Sequence, residues 1–137
     1  MADHRTFVLD SIILLQYIAG DSRVEELVNR ISDGVYDGYM LEQGVSEIYE
    51  KLNEKLGIDT ANRVLEAIKN SRIKIVDTDY ELMKKAGELK AAHKGRISMM
   101  GAYMIALAKN LNAVLVTCDE NIVRVNEVKT EFVKIKL

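Results

Sequence analysis

The 137-residue sequence contains no proline, no tryptophan and a single cysteine. One cysteine excludes an internal disulfide framework and a cysteine-rich zinc site, and a lone thiol is typical of a reducing compartment. Without proline, no X-Pro isomerisation slows folding and long helices meet no proline interruption. The net charge of −2 excludes a chain that binds nucleic acid over its whole surface. Any such contact therefore needs a local basic patch.

Long hydrophobic runs are also lacking. The longest near-apolar stretch, residues 97–108, contains Ser98 and Gly101 and is too short to cross a membrane. No basic leader precedes a long apolar core with a small-residue cleavage site, so we expect no signal peptide and a cytoplasmic protein. The apolar fraction of 48% and the charged fraction of 29% are typical of globular proteins. At this length we predict one domain over residues 1–137.

Short apolar runs alternate with stretches of helical periodicity. The runs cover residues 7–9, 35–41, 73–76, 113–116 and 132–137. This alternation predicts βαβ units, and hence an α/β fold of three layers (α/β/α) with a mostly parallel central sheet of four to five strands. Ser22 and Thr78 each stand three residues before a glutamate, which predicts that they cap the helices that follow.

Aspartates follow three of the predicted strands: Asp10, Asp77 and Asp119. The carboxyl ends of parallel strands meet at one edge of a sheet, where sites form. Two carboxylates about 4 Å apart repel by about 4 kcal/mol at an effective dielectric near 20, and a bound divalent cation would offset that cost. Alternatively, each aspartate caps the helix or turn that follows it. The residues by themselves leave both explanations open.

Several segments resemble, in order, the successive motifs of PIN domains. The first is a strand ending in Asp10 and Ser11 before an apolar helix, and the last is Leu115-Val116-Thr117-Cys118-Asp119. Between them lie Val45-Ser46-Glu47-Ile48-Tyr49-Glu50-Lys51-Leu52, Ala86-x-x-Leu89-Lys90 and Ser98-Met99-Met100-Gly101-Ala102-Tyr103-Met104-Ile105-Ala106-Leu107-Ala108. The likeness covers almost the whole chain, and the subgroup it resembles most is the VapC-type toxins of toxin–antitoxin pairs.

This resemblance implies a compact nuclease that cleaves single-stranded or structured RNA with Mg²⁺ or Mn²⁺ and has an antitoxin protein as partner. By position, Asp10, Glu47 and Asp119 match the acids that bind metal and act in catalysis. From the residues alone Glu47 is ambiguous, because it lies opposite the apolar stripe of its helix, where glutamates usually face solvent.

Gly101 departs from the family pattern, which places an aspartate there. The remaining acids could hold one ion, another acid such as Glu120 could take the vacant place, or the domain has lost catalysis and kept binding of RNA or a protein. Glycine within a helix costs about 1 kcal/mol relative to alanine. Close helix packing and an altered site both remain explanations of this residue.

Substrate contacts are expected from hydroxyl and basic side chains near the acids. The densest basic stretch comprises Lys84, Lys85, Lys90, His93, Lys94 and Arg96. Contacts from it to phosphates would position RNA without reading its sequence, although a solvated helix face explains the same pattern. The expected substrate-binding residues are Ser11, Ser98, Thr117, Lys94 and Arg96.

The helix that follows Asp10 is more apolar than one internal face requires, which indicates a homodimer or antitoxin interface. A phosphoacceptor receiver domain also places acids at strand ends. Such domains usually show an acidic pair after the first strand, whereas here Asp10 stands alone and is followed by Ser11. We therefore rank the receiver hypothesis below the nuclease hypothesis.

Overall fold

The computed structural model describes residues 5–135, which form five strands and seven helices. The strands are β1 (Thr6–Leu9), β2 (Asp37–Leu41), β3 (Lys74–Val76), β4 (Val114–Thr117) and β5 (Thr130–Phe132). The helices are α1 (Ser11–Ile18), α2 (Ser22–Ser32), α3 (Glu42–Leu56), α4 (Ile58–Lys69), α5 (Tyr80–Ala92), α6 (Met99–Leu111) and α7 (Glu120–Val125). No helix within this part of the chain is both long and apolar enough to span a bilayer.

All five strands are parallel and lie in the order β3-β2-β1-β4-β5. Because side chains alternate across a strand, β1 contributes to two cores. Phe7 and Leu9 pack with residues of α1 to α4, whereas Val8 packs on the opposite face with residues of α5, α6 and α7. The sheet therefore carries helices on both faces, which confirms the predicted three-layer α/β/α architecture.

The strand order creates a switch point between β1 and β4. The chain proceeds outwards from β1 to β3 on one side and then returns to place β4 against the other side of β1. Leu9 is paired with Val116, and the Asp10 amide continues the ladder by donating to the Val116 carbonyl at 3.0 Å. A crevice at the carboxyl ends of two strands that diverge in this way is where open α/β sheets place ligands.

Two helix caps differ from the sequence prediction by one residue. Asp21, not Ser22, caps α2, and Asp79, not Thr78, caps α5; each carboxylate accepts a backbone N–H of the first turn. In both places an aspartate stands beside the predicted hydroxyl. An ionised carboxylate accepts a stronger hydrogen bond than a hydroxyl, which accounts for the shift.

Two strands begin two residues away from their predicted start, whereas the bounds of the other three differ from the prediction by one residue. β2 begins at Asp37 instead of residue 35. The last strand, predicted over residues 132–137, is observed at Thr130–Phe132, and residues 136 and 137 lie outside the described residues. The Val133 amide still donates to the Thr117 carbonyl at 2.9 Å, so the chain follows the sheet for one residue beyond β5.

An ionic cluster joins the ends of α5 and α6 to the segment before β5. Glu127 lies 2.5 Å from His93 Nε2 and 2.7 Å from Lys109 Nζ. Hydrogen bonds from Lys109 and then His93 hold the pKa of Glu127 below its ordinary value. A carboxyl whose pKa is lowered by folding stabilises the fold above its unfolded pKa and ceases to do so as the pH falls through its folded pKa.

We therefore expect Glu127→Gln to lower the melting temperature by about 2–5 °C at neutral pH. The difference from wild type should shrink in acid, where Glu127 is protonated in both states of the chain. Thermal denaturation between pH 7 and pH 3 measures this, with Glu131→Gln on exposed β5 as the control. A difference that is equal at all pH values would contradict the assignment.

Candidate active site

Asp10 follows β1 and occupies the N-cap position of α1, but its carboxylate makes no capping hydrogen bond. Its Oδ2 instead accepts the hydroxyl of Thr117 at 2.7 Å. Helix capping therefore does not account for the Asp10 side chain, whereas Asp119 does cap α7, since its Oδ1 accepts the Asn121 amide at 2.9 Å. The capping explanation therefore fits Asp119 and does not fit Asp10.

Thr117 connects the two strand ends. It is the last residue of β4 and is completely buried. Its hydroxyl donates to Asp10 and also accepts the backbone N–H of Asp119 at 3.1 Å. One interior hydroxyl thus fixes the Asp10 carboxylate and the backbone that presents Asp119.

Glu47 reaches the same edge from α3. Its side chain is exposed on the polar face of that helix, and its Oε2 accepts the Ser11 hydroxyl at 3.0 Å. Ser11 and Thr117 are the only polar side chains that are buried in the described part of the chain, with 6% and 0% of their surface exposed. Each donates its hydroxyl hydrogen to one of the predicted acids, although a buried hydroxyl needs only some acceptor.

The electrostatics at this edge are those of crowded negative charge. Burial raises the pKa of Asp10 above its ordinary value, and the charges of Glu47 and Asp119 raise it further, against the hydrogen bonds from Thr117 and the Ser11 amide. Burial, and then the charges of Asp10 and Asp119, likewise raise the pKa of the Cys118 thiol. The thiol therefore stays protonated at neutral pH, and Glu47 and Asp119 both lie close enough to Asp10 for their charges to act on it.

Asp77, the third strand-end acid, lies beside Glu42 instead. A hydrogen bond between these two side chains raises the pKa of Glu42. The strand order explains the separation, because β3 is two places from β1 in the sheet, a distance of about 10 Å at 4.8 Å per strand. Sequence reasoning missed the Glu42–Asp77 pair, since only the helix that follows β2 brings Glu42 to β3.

Gly101 is buried in the first turn of α6, beside α7. A Cβ built on it would lie 3.3 Å from Ser98 Oγ and 3.5 Å from the Ile122 side chain. The contact with Ser98 is close, so a side chain at this position requires the serine hydroxyl to move by a few tenths of an ångström. The Ser98 hydroxyl accepts the Gly101 amide at 3.0 Å and so caps α6.

The remaining predicted residues do not join the acids. Lys94 and Arg96 are exposed in the connection between α5 and α6. Glu120 points to solvent in an ion pair with Arg124 at 3.1 Å, so it does not take the place left by Gly101. Substrate contacts remain predictions for all five expected residues: Ser11, Ser98, Thr117, Lys94 and Arg96. The structure places Ser11 and Thr117 in the interior, where their hydroxyls donate hydrogen bonds to Glu47 and Asp10.

These side chains meet one requirement of a divalent-cation site and do not meet another. Carboxylate oxygens are the donors that Mg²⁺ and Mn²⁺ prefer, and the crowding that raises the pKa of Asp10 is what a cation relieves. Across residues 5–135, however, no three Asp, Glu, His or Cys side chains converge in an arrangement that could hold a metal ion. The acids therefore have the chemistry of a metal site but form an incomplete one.

Comparison with known proteins agrees with this arrangement. The sequence pattern of the PIN domain matches residues 7–128, and no curated protein matches the chain. The DNA-bound VapBC of Salmonella typhimurium superimposes with a TM-score of 0.76 at 15% identity, over 93% of this chain and 98% of that one. VapBC2 of Rickettsia felis, bound to a fragment of its promoter, gives 0.73 at 18% identity over 93% and 98%.

A third solved structure is VapC20 of Mycobacterium tuberculosis, a toxin that cleaves the sarcin-ricin loop. It gives a TM-score of 0.68 at 20% identity, over 95% of this chain and 98% of that one. At such identities these structures establish a shared fold and no more. The family match covers most of the chain, from β1 to the segment before β5, and on that ground the chain belongs to the PIN-domain family.

Proposed function

We propose that this chain is a VapC-type toxin ribonuclease that acts on RNA at the crevice between β1 and β4. The observation that carries the proposal is the use of the two buried hydroxyls, Ser11 and Thr117, to hold Glu47 and Asp10. A sheet that needed only a stable core would fill these interior positions with apolar side chains. The PIN family and the likeness to VapBC structures support the same assignment.

Asp10, Glu47 and Asp119 are the residues that would hold Mg²⁺ or Mn²⁺. When bound, such an ion lowers the pKa of a water molecule and stabilises negative charge at the phosphate under attack. The chain itself supplies positioning, because Thr117 and Ser11 hold two of the carboxylates. The exposed Lys94 and Arg96 would attract the phosphate backbone of RNA.

Gly101 limits the expected activity. A site with one carboxylate fewer binds a divalent cation more weakly, because each removed negative charge reduces the attraction for the ion. We therefore propose that the wild-type chain cleaves RNA slowly. A second candidate function is a catalytically inactive PIN-like module that binds RNA or a protein partner, and it is favoured by the absence of a converged acidic triad in residues 5–135.

The proposed partners are an antitoxin protein and a second copy of the chain. Helix α1 presents Ile18 with 39% of its surface exposed and only half-buries Ile12, Leu15 and Tyr17. The VapBC structures that this chain resembles are toxin–antitoxin complexes. An apolar helix face beside the acidic crevice is suited to a protein partner.

The test is cleavage of structured and single-stranded RNA with Mg²⁺ or Mn²⁺, comparing wild type with Asp10→Asn. We expect slow wild-type cleavage that needs the metal and falls by about 100-fold or more in the variant. Asp59→Asn, which removes an exposed acid of α4, should leave cleavage unchanged.

Two other outcomes would change the assignment. Cleavage that survives Asp10→Asn would remove Asp10 from the site and point to a contaminating nuclease. If RNA binds but no variant and no metal gives cleavage, the inactive binding module is supported instead.

A further inference from the structure

Glu47 is an exposed glutamate on the outer face of a helix, and such side chains normally move among several rotamers. Here its Oε2 accepts the hydroxyl of Ser11, a residue 36 positions away with only 6% of its surface exposed. The donor is therefore anchored in the interior while the acceptor is at the surface. A contact of this kind restrains the acceptor, because the donor cannot move to follow it.

The approach of α3 to the start of α1 makes this contact possible, and Gly44 lies where the two helices meet. Gly44 is buried one turn before Glu47 on α3. A Cβ at this position would lie 3.1 Å from Met40 Cγ, a close contact with β2, and 3.8 Å from Ser11 Cβ, an ordinary van der Waals contact. The glycine therefore lets α3 lie against Met40 without a shift, and α3 is near enough to α1 for the Ser11 hydroxyl to reach Glu47.

We propose that Ser11 is the positioning residue for Glu47, holding its carboxylate at the acidic edge that Asp10 occupies. This inference rests on the proposed function, since Glu47 is there a residue that would hold the metal. Asp10 and Ser11 are consecutive, so one dipeptide supplies an acid of the site and the hydroxyl that orients a second acid from a distant helix. In this proposal Ser11 acts through Glu47 and not as the substrate-binding residue expected from the sequence, because it is buried and its hydrogen is donated to the carboxylate.

Groups that orient metal ligands usually change metal affinity 10- to 100-fold when they are removed. We expect Ser11→Ala to weaken Mn²⁺ binding, measured from the EPR signal of free Mn²⁺, by about tenfold. In a Glu47→Ala background the same substitution should change the affinity less than about twofold, because a residue that acts only through Glu47 has nothing left to orient. Ser46→Ala, an exposed serine of α3 beside Glu47, is the matched control and should have no effect.

A second measurement follows Glu47 directly and does not depend on metal. Three-bond NMR couplings across χ1 of Glu47 should report one rotamer in wild type and in Ser46→Ala, and an average of rotamers in Ser11→Ala. Thermal denaturation of each variant verifies that it is folded.

The outcomes separate the two proposals. Averaged couplings in wild type, couplings that Ser11→Ala leaves unchanged, or an equal loss of Mn²⁺ affinity in both backgrounds would each overturn the positioning role. A fixed Glu47 that Ser11→Ala releases supports the role even if no variant binds Mn²⁺, and in that case it is the metal-dependent function that fails.

Discussion

Gly101→Asp is expected to increase cleavage of RNA in Mg²⁺ by about 10- to 100-fold over wild type, equivalent to about 1.4–2.7 kcal/mol of transition-state stabilisation. The substitution places a carboxylate at the position where the resemblance to PIN domains predicts an acid. A Cβ at residue 101 would lie 3.3 Å from the Ser98 hydroxyl and 3.5 Å from Ile122, so it requires a shift of a few tenths of an ångström from Ser98. Because Ile122 belongs to α7, whose N-cap is Asp119, the added negative charge would lie on the side of α6 that faces that helix and would strengthen the attraction for a divalent cation.

Two matched variants separate the effect of the added carboxylate charge from the effect of the added side chain. Gly101→Asn has nearly the same shape without the charge and should remain as slow as wild type. Gly101→Ala adds only the Cβ and no charge, so it should also cleave as slowly as wild type. Its helix propensity favours the folded state by up to about 1 kcal/mol over glycine. Cleavage rates in Mg²⁺ and Mn²⁺ show whether the charge increases activity, and thermal denaturation verifies that each variant is folded. A folded Gly101→Asp that cleaves no faster than Gly101→Asn would exclude the idea that this chain lacks only one acid.

Asp10→Asn should raise the melting temperature by about 2–5 °C at neutral pH in the absence of metal, although we expect the same change to lower cleavage by about 100-fold or more. Burial and the charges of Glu47 and Asp119 raise the pKa of Asp10, so the ionised form destabilises the folded chain. The asparagine keeps an oxygen to accept the Thr117 hydroxyl, and the buried hydrogen bond is therefore retained. The ionised carboxylate that the proposed function needs at Asp10 is thus expected to lower the stability of the folded chain.

The pH dependence gives the sign of the effect. A carboxyl whose pKa is raised by folding binds its proton more tightly in the folded state, so the destabilisation applies above the folded pKa and disappears as the pH falls through it. The difference in melting temperature between Asp10→Asn and wild type should therefore close in acid. Asp59→Asn, an exposed acid, should follow wild type throughout.

Metal should reverse the order of stability. A ligand that binds only the folded state stabilises it in proportion to the logarithm of its concentration above the Kd. Titration with Mg²⁺ or Mn²⁺ should therefore raise the melting temperature of wild type and leave Asp10→Asn almost unchanged. A wild-type chain that is already more stable than Asp10→Asn without metal would show that the Asp10 charge is not a burden on the fold.

Much of the architecture could be predicted because it depends on local patterns. Apolar runs alternating with helical periodicity imply βαβ units, and parallel strands bring their carboxyl ends together. The errors were also local: where Asp21 stands next to Ser22, and Asp79 next to Thr78, hydroxyl and carboxylate compete to cap the same helix. Patterns of spacing do not rank two adjacent acceptors.

The sequence by itself determined the α/β fold and the acids that follow the first and fourth strands. Only the tertiary structure separated Asp77 from Asp10, because the order of strands in a sheet is a property of the whole chain. Only the tertiary structure showed what Ser11 and Thr117 do. Their partners lie 36 and 107 positions away in the sequence, and a buried hydroxyl acquires a role through the acceptor that folding places beside it.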